Sequence, residues 1–133
     1  MGPIKGSMRF SQFAAAIVLT CFSAVASAQS YRVLLSNDDG IESPRLHALH
    51  AALSQLEGVE VVVCAPNVNQ SGSSQSSIGS ITVDNFELNG RFFGYAVHGR
   101  PADAGRFAEK ELGKDQPYDI VVSGINRGAN VGI

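Results

Sequence analysis

The sequence predicts an α/β fold, a Rossmann-like three-layer α/β/α sandwich, on three observations. A buried strand, an amphipathic helix and a second buried strand follow one another from Tyr31 to Cys64, which is the order of a βαβ unit with a parallel strand pair. After a hairpin-like insertion, a helix and another strand restore the alternation expected of a sheet covered on both faces. Polar, Gly-rich clusters come directly after the strands, where open α/β sheets bind ligands.

Each element has a local reason. Tyr31 to Ser36 is a short apolar run bounded by Asn37-Asp38-Asp39-Gly40 and reads as a strand. Ser43 is the expected N-cap of a helix that has Pro44 at its first position. Leu46, Leu49, Leu53 and Leu56 form its apolar stripe, and Gly58 is expected to end it. Val59 to Cys64 is a β-branched second strand, broken by Ala65-Pro66-Asn67. Ile81 to Leu88 and Arg91 to His98 read as strands joined through Asn89-Gly90, a dipeptide favoured in tight hairpin turns. Pro101 to Leu112 reads as a helix with Phe107, Ala108 and Leu112 on one side, and Tyr118 to Val122 as a last short strand.

Not all of the 133 residues belong to this fold. Lys5 and Arg9 precede an apolar run from Phe13 to Val25 that ends at Ala26-Ser27-Ala28. This is the order of a secretory signal peptide, with cleavage expected after Ala28. The predicted organisation is a signal peptide over residues 1–28 and an α/β domain over residues 29–133. The location is then secreted or periplasmic, with no membrane association after cleavage; a cytoplasmic location would follow if the segment were instead a buried helix. Cys21 lies in the apolar run and only loosely fits a lipoprotein signal. Cleavage leaves Cys64 as the single cysteine, which excludes an intramolecular disulfide, and its place at a strand end reads as a small buried hydrophobe. The net charge of −2 and the lack of any block of like charge argue against a nucleic-acid polymer as partner.

Two adjacent carboxylates, Asp38 and Asp39, stand where the first strand stops. They repel each other unless something offsets their charge, and a hard divalent cation with oxygen ligands does so. A second cluster, Asn69-Gln70-Ser71-Gly72-Ser73-Ser74, follows the second strand, and a third, Ser123 to Asn130, follows the last. Taken singly, these read as a solvated turn, a flexible linker and a plain loop. Right-handed crossovers keep parallel strands pointing one way, so all three should open on one sheet edge. Their oxygens and Gly-rich backbone then match a cation–phosphate site. His47 and His50, three apart on the first helix, fit a metal pair less well than ordinary partly buried histidines, and His98 ends a hairpin strand near Gly99-Arg100-Pro101. Gly-x-Gly-x-x-Gly is absent, which weakens a dinucleotide reading.

Four segments in order resemble the SurE (stationary-phase survival protein) family of 5'/3'-nucleotidases. They are Leu34-Leu35-Ser36-Asn37-Asp38-Asp39-Gly40-Ile41, then Val63-Cys64-Ala65-Pro66 with Gln70-Ser71-Gly72-Ser73-Ser74, then Gly99-Arg100-Pro101-Ala102-Asp103, and the distinctive run Asp119 to Gly132. The resemblance implies a divalent-metal-dependent phosphomonoesterase for nucleoside 5'/3'-monophosphates, with magnesium or manganese as cofactor, and some members also cleave polyphosphate. It implies cation ligands at Asp38, Asp39, Ser71 and Asn126. It places Asn37, Gly72, Ser73, Ser74, Gly128 and Asn130 at the phosphate. Hydrolysis by a water activated at the cation is the expected mechanism, with Asp38 or Asp39 orienting or deprotonating that water. Ser71 reads as a ligand rather than a nucleophile, since no base is evident beside it.

The sequence departs from the family pattern at several points. Arg100 replaces a small Thr before Pro101, so that a cation would either bind substrate phosphate or pack against an acid. Ala104 stands where Cys is frequent, and the Ser71–Thr82 segment is longer than usual. Family members continue beyond the Gly-Ala-Asn-Val-Gly motif, whereas here Ile133 is the last residue. The expectation is an incomplete domain lacking the C-terminal half of the family fold, with impaired activity and exposed apolar faces. A family-like homo-oligomer is expected only of a complete chain. The alternatives are a non-catalytic nucleotide- or phosphate-binding fragment and an assembly fragment that needs a partner chain.

Overall fold

The structure is a computed structural model, and it describes residues 2–3, 29–69 and 80–128. The expected signal segment lies outside the described residues, apart from Gly2 and Pro3. The elements run β1 (Tyr31–Ser36), α1 (Pro44–Ser54), β2 (Val59–Pro66), β3 (Thr82–Leu88), β4 (Arg91–His98), α2 (Pro101–Phe107) and β5 (Ile120–Ser123). A single π-helical turn, Ala108–Leu112, continues α2. The strands form one five-stranded sheet in the order β3-β4-β2-β1-β5. β1 pairs in parallel with both β2 and β5, β2 pairs in parallel with β4, and only β3 runs antiparallel, on the edge. The carboxyl ends of β1, β2, β4 and β5 therefore share one edge of the sheet.

The sheet is covered on both faces, as the strand sequences demand. On the α1 face, Leu35, Ile41, Leu46, Val63, Ala65 and Phe93 form a buried cluster. On the α2 face, Leu34, Cys64, Val97, Ala104 and Ala108 form a second, flanked by Ile81, Val83 and Tyr95. Alternation divides each strand between the layers: Leu34 and Leu35 face opposite ways, as do Val63 and Cys64. Strands buried on both sides read as continuous apolar runs, and β1 and β2 do.

Asn89 (φ 52°) and Gly90 (φ 75°) both adopt left-handed backbone, the geometry of the twist-matched two-residue hairpin turn. The register of β3 against β4 slips once. Phe86 pairs with Gly94 and Glu87 with Phe92, which leaves Phe93 opposite no residue. This bulge re-aims a side chain. Phe93 turns onto the α1 face, where its ring meets Phe86 (centroids 6.0 Å apart), His47 (4.9 Å) and His50 (4.8 Å).

Several expected boundaries shift. α1 stops at Ser54, and Gly58 (φ 72°) instead closes the turn into β2. Leu56 lies beyond the helix and is 55% exposed, so it is not part of the apolar stripe. The helix expected over residues 101–112 changes pitch at Ala108, yet Phe107, Ala108 and Leu112 still meet the α2-side core. The last strand begins at Ile120 rather than Tyr118; at Asp119 the side chain accepts a hydrogen bond from the Arg32 amide at 2.7 Å, while the Asp119 amide donates to the Arg32 carbonyl at 2.8 Å. Ile120 and Val121 on this edge strand are exposed.

Candidate metal–phosphate site

The turn after β1 is built by Asn37, whose side chain is buried. Its Nδ2 donates to the Gly40 carbonyl at 2.9 Å, and the Gly40 amide donates to its Oδ1 at 3.2 Å. These two bonds close the loop around Asp38 and Asp39, so Asn37 shapes the turn that carries the acids. Gly40 has φ +100°, and a Cβ there would lie 2.9 Å from the Val68 carbonyl carbon. The Ile41 amide donates to the Pro66 carbonyl at 2.8 Å. The loops after β1 and β2 are thus in direct backbone contact. The loop after β5 joins them through the Gly124 amide, which donates to the Ser36 carbonyl at 3.0 Å.

These contacts bring the three strand ends to one cleft of about 490 Å³, lined by Asp39, Glu42, Ser43, Pro44, Arg45, Asn69 and Arg127. Asp39 comes from the β1 end, Asn69 from the β2 end, and Arg127 from the β5 end. Asn126, the residue before Arg127, is half-buried on that same loop, and Gly128 has φ +80°. Ser71, Gly72, Ser73, Ser74 and Asn130 lie outside the described residues.

Asp38 Oδ1 is buried and has no hydrogen-bond partner among the described residues. Leaving such an oxygen unmatched costs on the order of 1–3 kcal/mol, more when charged. A cation is the natural match for it. Among the described residues no three or more His, Cys, Asp or Glu side chains gather at one point. The donors here are instead two adjacent carboxylates with amide oxygens nearby, a hard-oxygen set suited to magnesium or manganese rather than to a thiolate–imidazole zinc site. The residues fit the implied metal.

The remaining candidates fall elsewhere. His47 Nε2 lies 2.7 Å from the Ile41 carbonyl, and His50 packs edge-on against Phe93; neither lines the cleft. Burial, and secondarily the charge of His47, pushes the pKa of His50 down. Cys64 is fully buried with Sγ 3.3 Å from the Ala104 carbonyl, and burial pushes its pKa up to about 12, so it is no nucleophile. His98 Nε2 lies 2.5 Å from Asp84 Oδ2, and its Nδ1 lies 3.2 Å from Asn67 Nδ2, which ties β3 to the end of β2. The Arg100 amide donates to buried Asp103 at 3.0 Å and opens α2, and Arg100 does not line the cleft.

Sequence reasoning missed Glu42 and Arg45. The signal was available: both flank Ser43-Pro44, and a helix that starts right after a β1 loop points its first turn at the ligand edge.

Comparison with known proteins bears on the family and the fold. The model of the family described as "Survival protein SurE" matches residues 33–133. A protein named 5'-nucleotidase SurE from Syntrophobacter fumaroxidans is 42% identical over 104 residues, covering 77% of this chain and 40% of the relative. One of the same name from Vibrio cholerae serotype O1 is 44% identical over 103 residues, covering 76% of this chain and 39% of its own. The crystal structure of the Sure protein from Aquifex aeolicus superposes with a TM-score of 0.62 at 37% identity, over 76% of this chain and 40% of that one. The chain therefore spans about 40% of the length of the relatives it matches. On the family match, the shared fold and the ordered strand-end motifs, the chain belongs to the survival protein SurE family.

Proposed function

We propose that the chain carries the cation- and phosphate-holding half of a phosphomonoesterase acting on nucleoside 5'- or 3'-monophosphates. The observation that carries this reading is buried Asp38 Oδ1, unmatched among the described residues, beside a cleft where Asp39 and Asn69 come together from separate strand ends. The names of the relatives support the substrate class.

Asp38, Asp39 and Asn126 would hold the divalent cation, with Ser71 as the fourth ligand. When bound, the cation supplies Lewis-acid charge for the phosphoryl group and lowers the pKa of a nearby water. The chain's own contribution is positioning. Asn37 and Gly40 fix the turn so that both carboxylates stay at the sheet edge, and the backbone after β5 closes the other side. A loose phosphoryl-transfer transition state needs such fixed charge more than covalent chemistry. Either Asp38 or Asp39 is suited to accept a proton from the attacking water. Residues 1–28 are proposed to act as a secretory signal peptide, which would place the remaining chain outside the cytoplasm.

The test is phosphate release from a panel of nucleoside monophosphates by the full chain, with and without manganese, beside Asp38→Asn. Manganese-dependent release that disappears in D38N supports the reading. Manganese binding and nucleotide binding without release would leave a non-catalytic binding fragment in its place. Release that is indifferent to manganese and to D38N would overturn it.

A further inference from the structure

Arg45 and Arg127 make no hydrogen bond or ion pair among the described residues, and both are exposed where they line the cleft that Asp39 enters. Arg45 is the second residue of α1, in a first turn that contains no acid. A cation there opposes the positive end of the helix dipole, which favours anions. Its position therefore disfavours the fold slightly and is offset by no ion pair among the described residues. An arriving anion would reverse that balance, since it meets the helix end and two guanidiniums together, and guanidinium groups grip phosphate in bidentate fashion.

The rim differs from the floor. Asp39 is half-buried, whereas Arg45 and Arg127 are exposed. The reacting phosphate belongs with the carboxylates, and the arginines meet the part of the substrate that projects outward. The described lining offers that part no aromatic ring on which a base could stack, and Glu42 is its one exposed acid.

Resting on the proposed phosphomonoesterase reading, we infer that Arg45 and Arg127 form a second-phosphate subsite. The site then prefers phosphomonoesters that carry another phosphate group, such as a nucleoside 3',5'-bisphosphate, over those with one.

Calorimetric titration of the full chain in manganese tests this, using adenosine 5'-monophosphate and adenosine 3',5'-bisphosphate with wild type, R45Q, R127Q and, as a distant exposed-arginine control, R91Q. Phosphate release is followed in parallel. The expected result is about tenfold tighter binding of the bisphosphate, a preference that R45Q and R127Q each remove while monophosphate affinity stays within about twofold and R91Q changes neither. Equal affinity for the two ligands overturns the inference, as does an R45Q loss shared equally by both, or an R91Q loss as large. Release from the monophosphate without a bisphosphate preference would sink this inference and keep the proposed activity. An arginine-dependent preference without release would do the opposite, and failure of both ligands to bind would sink both.

Discussion

Gly40 and Val68 touch through their backbones: a Cβ on Gly40 would lie 2.9 Å from the Val68 carbonyl carbon, and the backbone of Gly40 has φ +100°. The turn that presents the two carboxylates is therefore seated on the start of the loop after β2. The turn and the described start of that loop constrain each other, which is how a site assembled from distant parts of the chain acquires fixed geometry.

Gly40→Ala should accordingly damage the fold and the site together. The substitution adds backbone strain at a positive φ and a steric collision, each worth on the order of 1–3 kcal/mol. The expected result is a lower urea midpoint with an unchanged m-value, together with weaker manganese binding. Wild-type stability in G40A would show that the two loops are not held by this contact.

Asp38→Asn separates metal binding from folding. Without metal, the buried Asp38 Oδ1 has no hydrogen-bond partner among the described residues, so neutralising it should leave the thermal midpoint unchanged or raise it. With manganese at a hundred times its dissociation constant, wild type should gain about 2.7 kcal/mol, and D38N should gain almost none. Thermal melts with and without manganese decide the matter. A full manganese shift in D38N would remove Asp38 from the ligand set.

What could be read from the sequence followed from local chemistry. Asn89-Gly90 demanded its hairpin turn, Ser43-Pro44 opened α1 where expected, and the apolar runs of β1 and β2 matched strands buried on both faces. That the ends of β1, β2 and β5 share one edge was legible because parallel strands share a direction. The bulge was not legible. A register slip between β3 and β4 has no local signature, so Phe93 was unpredictable as the residue that meets His47 and His50. Leu56 fitted the helical period but fell past the helix end, since periodicity does not mark where backbone hydrogen bonding stops. Arg45 was passed over because an exposed arginine is the commonest kind. Only the cleft, and its want of an acidic partner among the described residues, set it apart.

Cys64 should be inert in the native protein. Burial pushes its thiol up to about 12, so almost no thiolate exists at neutral pH and the sulfur is inaccessible. A disulfide reagent at pH 8 should label it only after unfolding, and labelling should follow the urea transition. The thiol also has a consequence for alkaline stability. Its folded pKa lies above the unfolded value of 9.0, so its contribution is complete below pH 9.0 and is lost as pH rises toward about 12. Cys64→Ala should weaken that alkaline decline. Rapid native labelling would contradict the burial.

His50 sets the opposite dependence at the acid end. Burial against Phe93, and then the neighbouring His47, hold its pKa below the ordinary 6.5. A depressed folded value means that the unfolded chain binds a proton more readily over this range. The stability tied to a neutral His50 is therefore present above pH 6.5 and is lost as pH falls through the folded value. Urea midpoints measured from pH 7 down to about 5.5 should decline in wild type, before the carboxylates titrate. His50→Gln removes the titrating ring while keeping a polar side chain that can reach Ser54, so its decline over the same range should be shallower. Parallel slopes for the two proteins would mean that the acid sensitivity arises elsewhere in the fold.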